Sequence, residues 1–384
     1  MNRSVVILGS GLAGISVARE LRKLDKDLPL TIITADDGGF YSKPSLSNAL
    51  AAGKTAPQLV LTAREALATQ LKGEIRANTR VTRLMPGEHA VETERGRLDY
   101  GRLVLALGAQ PIRLPIEGSG TGEILAVNSL PDYAAFRNRL AGAKFGGRVA
   151  ILGGGLIGCE FANDLRLAGL DVDVFDLAPQ ALGRLLPAQS AAHFHTRLQA
   201  AGVRFHFNTS IARVDRTHDG VVLTDTQGRD FSADLVLSAV GLKPETQLAR
   251  AAGLKTNRGV VADTLLATSD PDVFAVGDCV ELQGLVLPFV LPIMQQARAL
   301  AKTLAGTPTP VSYPAMPVVV KTPACPTVVC APPAGAAGAW CEEADMNGVR
   351  ALFEDADGKP LGFCLVGEAV KEKQALAAQM PAWL

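Results

Sequence analysis

Gly9-Ser10-Gly11-Leu12-Ala13-Gly14 follows an unbroken apolar run, Val5 to Leu8, and opens a stretch with helical spacing: Leu12, Ile15, Ala18, Leu21, Leu24. Strand, glycine turn and helix in that order suit an anion at the helix start. Unpaired N–H groups and the positive end of the helix dipole meet there. Gly9 serves the tight turn, Gly11 lets a pyrophosphate approach the backbone, and Gly14 lets helix and strand close up. Leu30 to Ile33 reads as the next strand. Asp36 and Asp37 follow it, and an acid there can accept hydrogen bonds from ribose hydroxyls.

The arrangement recurs. Arg148 to Leu152 is strand-like, Gly153-Gly154-Gly155-Leu156-Ile157-Gly158 is the turn, and Leu156 to Leu167 the helix. Asp176 ends the following strand, Val172 to Phe175. A carboxylate there favours a free 2′-hydroxyl and repels a 2′-phosphate, so NAD is preferred over NADP. Arg184 further along can reach back and weakens that preference. Two such turns imply two adenine dinucleotides. A bound flavin, FAD, beside NADH as substrate is the economical pairing. Two more strand ends fit a nearby ligand. Leu105-Ala106-Leu107-Gly108 is a small-residue turn, and Val273 to Val276 runs into Gly277-Asp278. Asp278 there either holds sugar hydroxyls near a pyrophosphate or caps a helix.

These motifs need α/β scaffolding. The expected fold class is α/β: two Rossmann-like dinucleotide-binding domains plus a small α+β C-terminal domain. A chain of 384 residues allows two or three domains. Past about residue 310 prolines cluster between short strand-like runs, and a helix from Glu368 to Met380 closes the chain. Residues 36–55 read as a loop leading into a short helix. Lys+Arg and Asp+Glu are both 38, which gives no reason to expect nucleic acid or an anionic membrane. No apolar run approaches the ~20 residues of a membrane helix, so no membrane insertion is expected. The opening segment, Met1 to Leu8, shows no secretory leader, and a cytoplasmic protein is expected. Six scattered cysteines include no Cys-x-x-Cys and no zinc spacing, so no metal site is expected. Cys325 and Cys330 are either a redox pair or two buried thiols; the second is the commoner case.

The order of the Gly9 turn, Ala106-Leu107-Gly108, the Gly153 turn and Gly277-Asp278 resembles the pyridine nucleotide–disulfide oxidoreductase superfamily, along essentially the whole chain. The resemblance implies an FAD domain split over 1–113 and 238–312. It implies an NAD domain, 114–237, inserted between the halves, and a C-terminal interface domain, 313–384. Disulfide reductases of this superfamily carry a cysteine pair, and their peroxide-reducing relatives one cysteine, just after the first unit. Here that stretch reads Phe40-Tyr41-Ser42-Lys43-Pro44-Ser45-Leu46-Ser47-Asn48, with none. Together with Leu287 to Ile293 and Val320-Lys321-Thr322-Pro323, it looks most like the reductases that serve small iron proteins, rubredoxin reductases above all.

By that resemblance Gly9, Ser10, Gly11 and Leu12 hold the FAD pyrophosphate, and Ile33, Thr34 and Asp36 its adenosine, with backbone contacts from Val81. Lys43 lies near the pyrophosphate and flavin, Asp278 and Val290 hold the ribityl chain and ring, and Lys321 lies beside the ring. Glu160 points to where nicotinamide and flavin meet. Each charged residue also has a plain reading: Lys43 and Lys321 as surface lysines, Glu160 as a first-turn acid complementing the helix dipole. The implied activity is hydride transfer from NADH to FAD, then single-electron release to rubredoxin, in the manner of alkane-hydroxylating systems. A ferredoxin or flavorubredoxin as acceptor is the near alternative. An NADH oxidase, or a flavoprotein that senses NADH without fast turnover, are the others. Without a disulfide site shared between subunits, a monomer is expected.

Overall fold

The structure is a computed structural model that describes residues 3–142 and 147–384. Of the opening segment, Met1 and Asn2 lie outside the described residues. Branched apolar side chains make β1 (Val5–Leu8) a fully buried strand. It pairs in parallel with β2 (Leu30–Ile33) on one side and with Arg102–Leu105 on the other. Glu74–Arg76 and Val273–Ala275 complete a five-stranded parallel sheet at its two edges. The sheet therefore draws on two stretches of chain far apart in sequence. Between β1 and β2 runs α1 (Leu12–Leu24), which buries Ile15, Val17, Ala18 and Leu21 and is stopped at Asp25.

The second unit repeats the plan. β3 (Arg148–Leu152), α2 (Leu156–Leu167) and β4 (Asp171–Phe175) form a strand–helix–strand unit. Its five-stranded parallel sheet runs Ile124–Leu125, Leu235–Ser238, β3, β4, Val203–His206. α3 (Ala188–Ala200) links β4 to the last of these strands. Chain passes between the two sheets through an antiparallel ribbon, Ala109–Pro111 against Leu242–Pro244. Later, α4 (Val290–Leu304) packs along α1.

A third sheet, antiparallel and five-stranded, occupies the C-terminal part and has β5 (Ala339–Ala344) at one edge. It rests on α3. Phe194 and Leu198 of that helix share one buried cluster with Val329, Cys364 and Val366 of the sheet and Val149 of β3. Cys325 and Cys330 are free and buried, the expected core thiols, and burial pushes both up to about 11.

Two local expectations need correction. The closing helix is shorter than Glu368–Met380: a 3-10 turn covers Glu368–Glu372 and an α-helix only Lys373–Ala377. Its start is tied to the sheet, with Gly367 N–H on the Pro326 carbonyl and Glu368 N–H on that of Asn347, which fixes the first turn in a tight geometry. After β2, Phe40–Tyr41 is a short strand paired with Val60–Thr62, and the helical part is a 3-10 turn, Lys43–Asn48, led by Pro44.

The second glycine turn supplies a test of packing. A Cβ on Gly158 would run into the Gly153 carbonyl oxygen, whereas one on Gly155 meets nothing within 4 Å. Gly158→Ala is expected to cost about 2–3 kcal/mol through overpacking. Gly155→Ala should leave the melting transition within about half a kcal/mol. Denaturant melts of the two variants decide; equal stabilities would contradict the packing assignment.

Candidate functional site

Both glycine turns share one internal logic. Gly9 and Gly153 have φ of +113° and +103°, where a side chain is strained, and each lies against a carbonyl of a neighbouring strand end, Ala106 or Ala239. Gly14 and Gly158 are pressed onto the carbonyls of Gly9 and Gly153. Protein packing thus accounts for the first and third glycine of each turn. It does not account for the middle ones, Gly11 and Gly155, which face open space. These two residues cap α1 and α2 without any side-chain acceptor. First-turn N–H groups are thereby left facing the opening. Such a cradle fits a dinucleotide pyrophosphate.

Around the first turn, the Ser10 and Thr34 hydroxyls and the Gly38 N–H converge on Asp36 Oδ1, at 3.0, 2.5 and 3.1 Å. Ile33 ends β2, and its carbonyl accepts the Gly9 N–H at 2.8 Å. Val81 packs with the core beneath β2 that contains Ile33. Around the second turn, Asp176 accepts the N–H groups of Gly154 and Ala178. Leu182 N–H returns to the Gly154 carbonyl at 2.9 Å. Arg184 is exposed.

Gly277, at φ +81°, lies against Ala13 of α1. Its N–H donates to Gln296 Oε1 at 2.7 Å, and Gln296 Nε2 donates to the Tyr313 hydroxyl at 2.7 Å. This buried chain, invisible in sequence, fixes the Gly277-Asp278 corner against α4. Asp278 is no cap of a long helix; it lies in a 3-10 turn, Gly277–Cys279. Burial pushes its carboxyl up, and the Lys43 charge opposes that. Burial likewise pushes the Lys43 ammonium down, against the charges of Asp278 and Asp132. Lys43 is itself half-buried rather than exposed. Val290 opens α4 and is exposed, and no side chain caps that helix either.

Lys321, expected beside the flavin ring, and Glu160, expected where nicotinamide and flavin meet, are a single ion pair at 2.6 Å. Glu160 is 1% exposed. Its Oε2 also takes the Ser47 hydroxyl at 2.5 Å, and its Oε1 the Lys321 N–H at 2.9 Å. The Lys321 ammonium donates further to Ser47 Oγ, Asn48 Oδ1 and the Pro44 carbonyl. Two more residues on the same face of α2 act alike. Asn163 Oδ1 accepts the Ala324 N–H at 3.1 Å. Asp164 accepts the N–H groups of Leu50 and Ala51 at 2.9 and 3.1 Å. Residues i, i+3 and i+4 share a helix face, so three polar side chains of one helix grip both the 43–51 segment and the 320–324 segment. Sequence reasoning named Glu160 but missed Ser47, Asn48, Asn163 and Asp164. The signal was there: polar residues at helical spacing on what should be a buried face.

Comparison with known proteins follows the same lines. Residues 3–302 match the sequence model of the pyridine nucleotide-disulphide oxidoreductases. The chain belongs to that family. Residues 310–380 of this oxidoreductase match a second model, described as a rubredoxin binding C-terminal domain. It is 48% identical to a rubredoxin-NAD(+) reductase of Alcanivorax borkumensis over 379 residues, 98% of each chain. It is 46% identical to one of Acinetobacter baylyi, again over 98% of each. Among solved structures it resembles a ferredoxin reductase from Rhodopseudomonas palustris, with TM-score 0.88 and 26% identity, covering 99% of this chain and 96% of that one. Among the described residues no helix is long and apolar enough to cross a membrane.

The buried ion pair yields a prediction. Lys321→Met leaves the Glu160 carboxylate buried without its cation. The cost is expected at about 2–3 kcal/mol, below the fully buried case because the lysine side chain is 36% exposed. Adding Glu160→Gln should recover most of it. A double-mutant cycle by denaturant melting measures the coupling, and strictly additive losses would contradict the pairing.

Proposed function

We propose that this oxidoreductase takes electrons from NADH through FAD and delivers them singly to rubredoxin. The observation that carries the reading is the C-terminal sheet. Its sequence matches a rubredoxin-binding domain, and it sends Lys321 into the joint with Glu160. FAD, when bound, supplies the chemistry that accepts a hydride and gives up electrons one at a time.

The chain's own residues bind, orient and exclude water. Gly9, Ser10, Gly11, Leu12 and Gly14, with the N-terminus of α1, would hold the FAD pyrophosphate. Ile33, Thr34, Asp36 and Val81 would hold the adenosine, with Asp36 already oriented by Ser10 and Thr34. Ala106, Gly108, Gly277, Asp278, Val290 and Lys43 would line the path of the ribityl chain and ring. Gly153, Gly155 and Gly158 would hold NADH, and Asp176 would favour its free ribose hydroxyl. Glu160 and Lys321 would stand where the two rings meet. The split-domain boundaries 1–113, 114–237, 238–312 and 313–384 belong to this reading, as do a monomeric state, a cytoplasmic location and a place in alkane oxidation. The stretch 40–48 holds no cysteine that could form a disulfide relay there, and the rubredoxin-binding match of residues 310–380 favours a one-electron iron protein as the acceptor.

The test is anaerobic. The NADH-reduced protein is mixed rapidly with oxidised rubredoxin and, separately, with a [2Fe–2S] ferredoxin. Two rubredoxins should be reduced per NADH consumed. Faster transfer to the ferredoxin would replace rubredoxin with the acceptor class named for the Rhodopseudomonas relative.

Asp278 adds a pH signature. Its folded pKa is raised, so burying it ionised weakens the apoprotein above that pKa, and the penalty vanishes below the unfolded value. Asp278→Asn removes this titration. The stability of wild type relative to the variant should therefore rise as pH falls from 7 to 4, while FAD retention in the variant is poorer at every pH. A relative stability that falls with acid would contradict the assignment.

A further inference from the structure

α3 begins after Pro187, a residue whose side chain offers no acceptor, and its first turn contains no acid. The orphan N–H groups of a helix start must be satisfied somewhere. Here the acceptor comes from the C-terminal sheet. Glu342 on β5 accepts the Gln189 N–H at 3.0 Å and the Ser190 N–H at 2.8 Å. The Ser190 hydroxyl, which is fully buried, adds a third bond at 2.8 Å. A charged cap of this kind complements the helix dipole as well.

The cap holds the far end of a particular loop. Residues 176–187 leave β4 at Asp176, whose carboxylate takes the Gly154 N–H of the second glycine turn. Midway, Leu182 N–H bonds to the Gly154 carbonyl. Leu182 is buried at φ +53°, a conformation that a branched side chain adopts only when its surroundings impose it. The loop is thus pinned at Asp176, at Leu182 and at the start of α3. Of these three hydrogen-bonded pins, the last comes from outside the loop's own unit.

We propose that Glu342 is a positioning residue for NADH. Through the start of α3 it sets the loop 176–187 and with it the orientation of Asp176 beside the nicotinamide dinucleotide. The C-terminal sheet then has a second role besides any contact with an iron protein: it tunes the nucleotide site from the opposite side of α3. This rests on the assignment of NADH to the second glycine turn.

The test uses the FAD-loaded full chain with Glu342→Ala and Glu342→Gln. Affinity for NAD+ is read from perturbation of the flavin spectrum, and for NADH from the concentration dependence of flavin reduction. Glu342→Ala should weaken both about tenfold, the size expected when charge-assisted bonds to buried donors are lost. The limiting reduction rate at saturating NADH should stay within about twofold, because the rings themselves are held elsewhere. Glu342→Gln, which keeps an acceptor oxygen, should recover most of the affinity. Amide exchange across 176–190 should quicken in Glu342→Ala and slow again in Glu342→Gln. Unchanged affinity in Glu342→Ala overturns the proposal. So does a parallel loss of limiting rate, affinity and FAD retention, which marks general destabilisation. If Glu342→Ala does not fold, Glu342→Gln decides, with about a threefold weakening expected and none contradicting. A wild-type protein that binds neither NAD+ nor NADH would instead overturn the assignment of the second glycine turn.

Discussion

One buried carboxylate organises this molecule. Glu160 lies on α2, in the first turns after a glycine cradle, where an ionised acid without a partner would be costly. Its partner, Lys321, comes from the C-terminal part of the chain, and its third ligand, Ser47, from the 3-10 turn of the first unit. Satisfying that charge brings three segments to one point. Asn163 and Asp164 extend the grip along the same helix face. The two glycine cradles, built separately by two parallel sheets, are thereby tied to each other. Chemistry between two bound rings depends on that relation, because proximity and orientation are most of what the protein contributes.

Elsewhere the site trades stability for charge. Lys43 and Asp278 are both partly withdrawn from water, and burial works against the ionised form of each. Neither has the dense bonding that Glu160 and Lys321 share. Their mutual field offsets only part of the cost. Groups left so are expected at functional sites, where a ligand rather than the protein completes their surroundings. Gly11 and Gly155 tell the same story in backbone terms, being glycines that no protein neighbour requires.

Much was legible in the sequence because its signals are local. The runs Val5 to Leu8 and Arg148 to Leu152, each followed by a glycine turn and a helical pattern, predict both cradles, and β1, α1, β3 and α2 form where expected. The third sheet was visible only as proline-spaced strand fragments. Its strand order, with Pro360–Gly367 at the centre, depends on long-range pairing that no local pattern encodes. The joint is half legible: the sequence marks Glu160 and Lys321 one by one. Their pairing spans 161 positions of sequence, and only the tertiary fold reveals it. The Gln296–Tyr313 link and the Glu342 cap escaped for the same reason, since each side chain reads as ordinary until its distant partner is known.

On this reading the Glu160 joint sets where the two cofactors meet. A crystal structure of the oxidised protein with FAD and NAD+ both bound decides the matter. The nicotinamide and flavin rings are expected in contact, about 3–3.5 Å apart at the reacting atoms, beside Glu160 with its bond to Ser47 intact. A nicotinamide seated away from α2, or rings meeting at a place remote from Glu160, would contradict it.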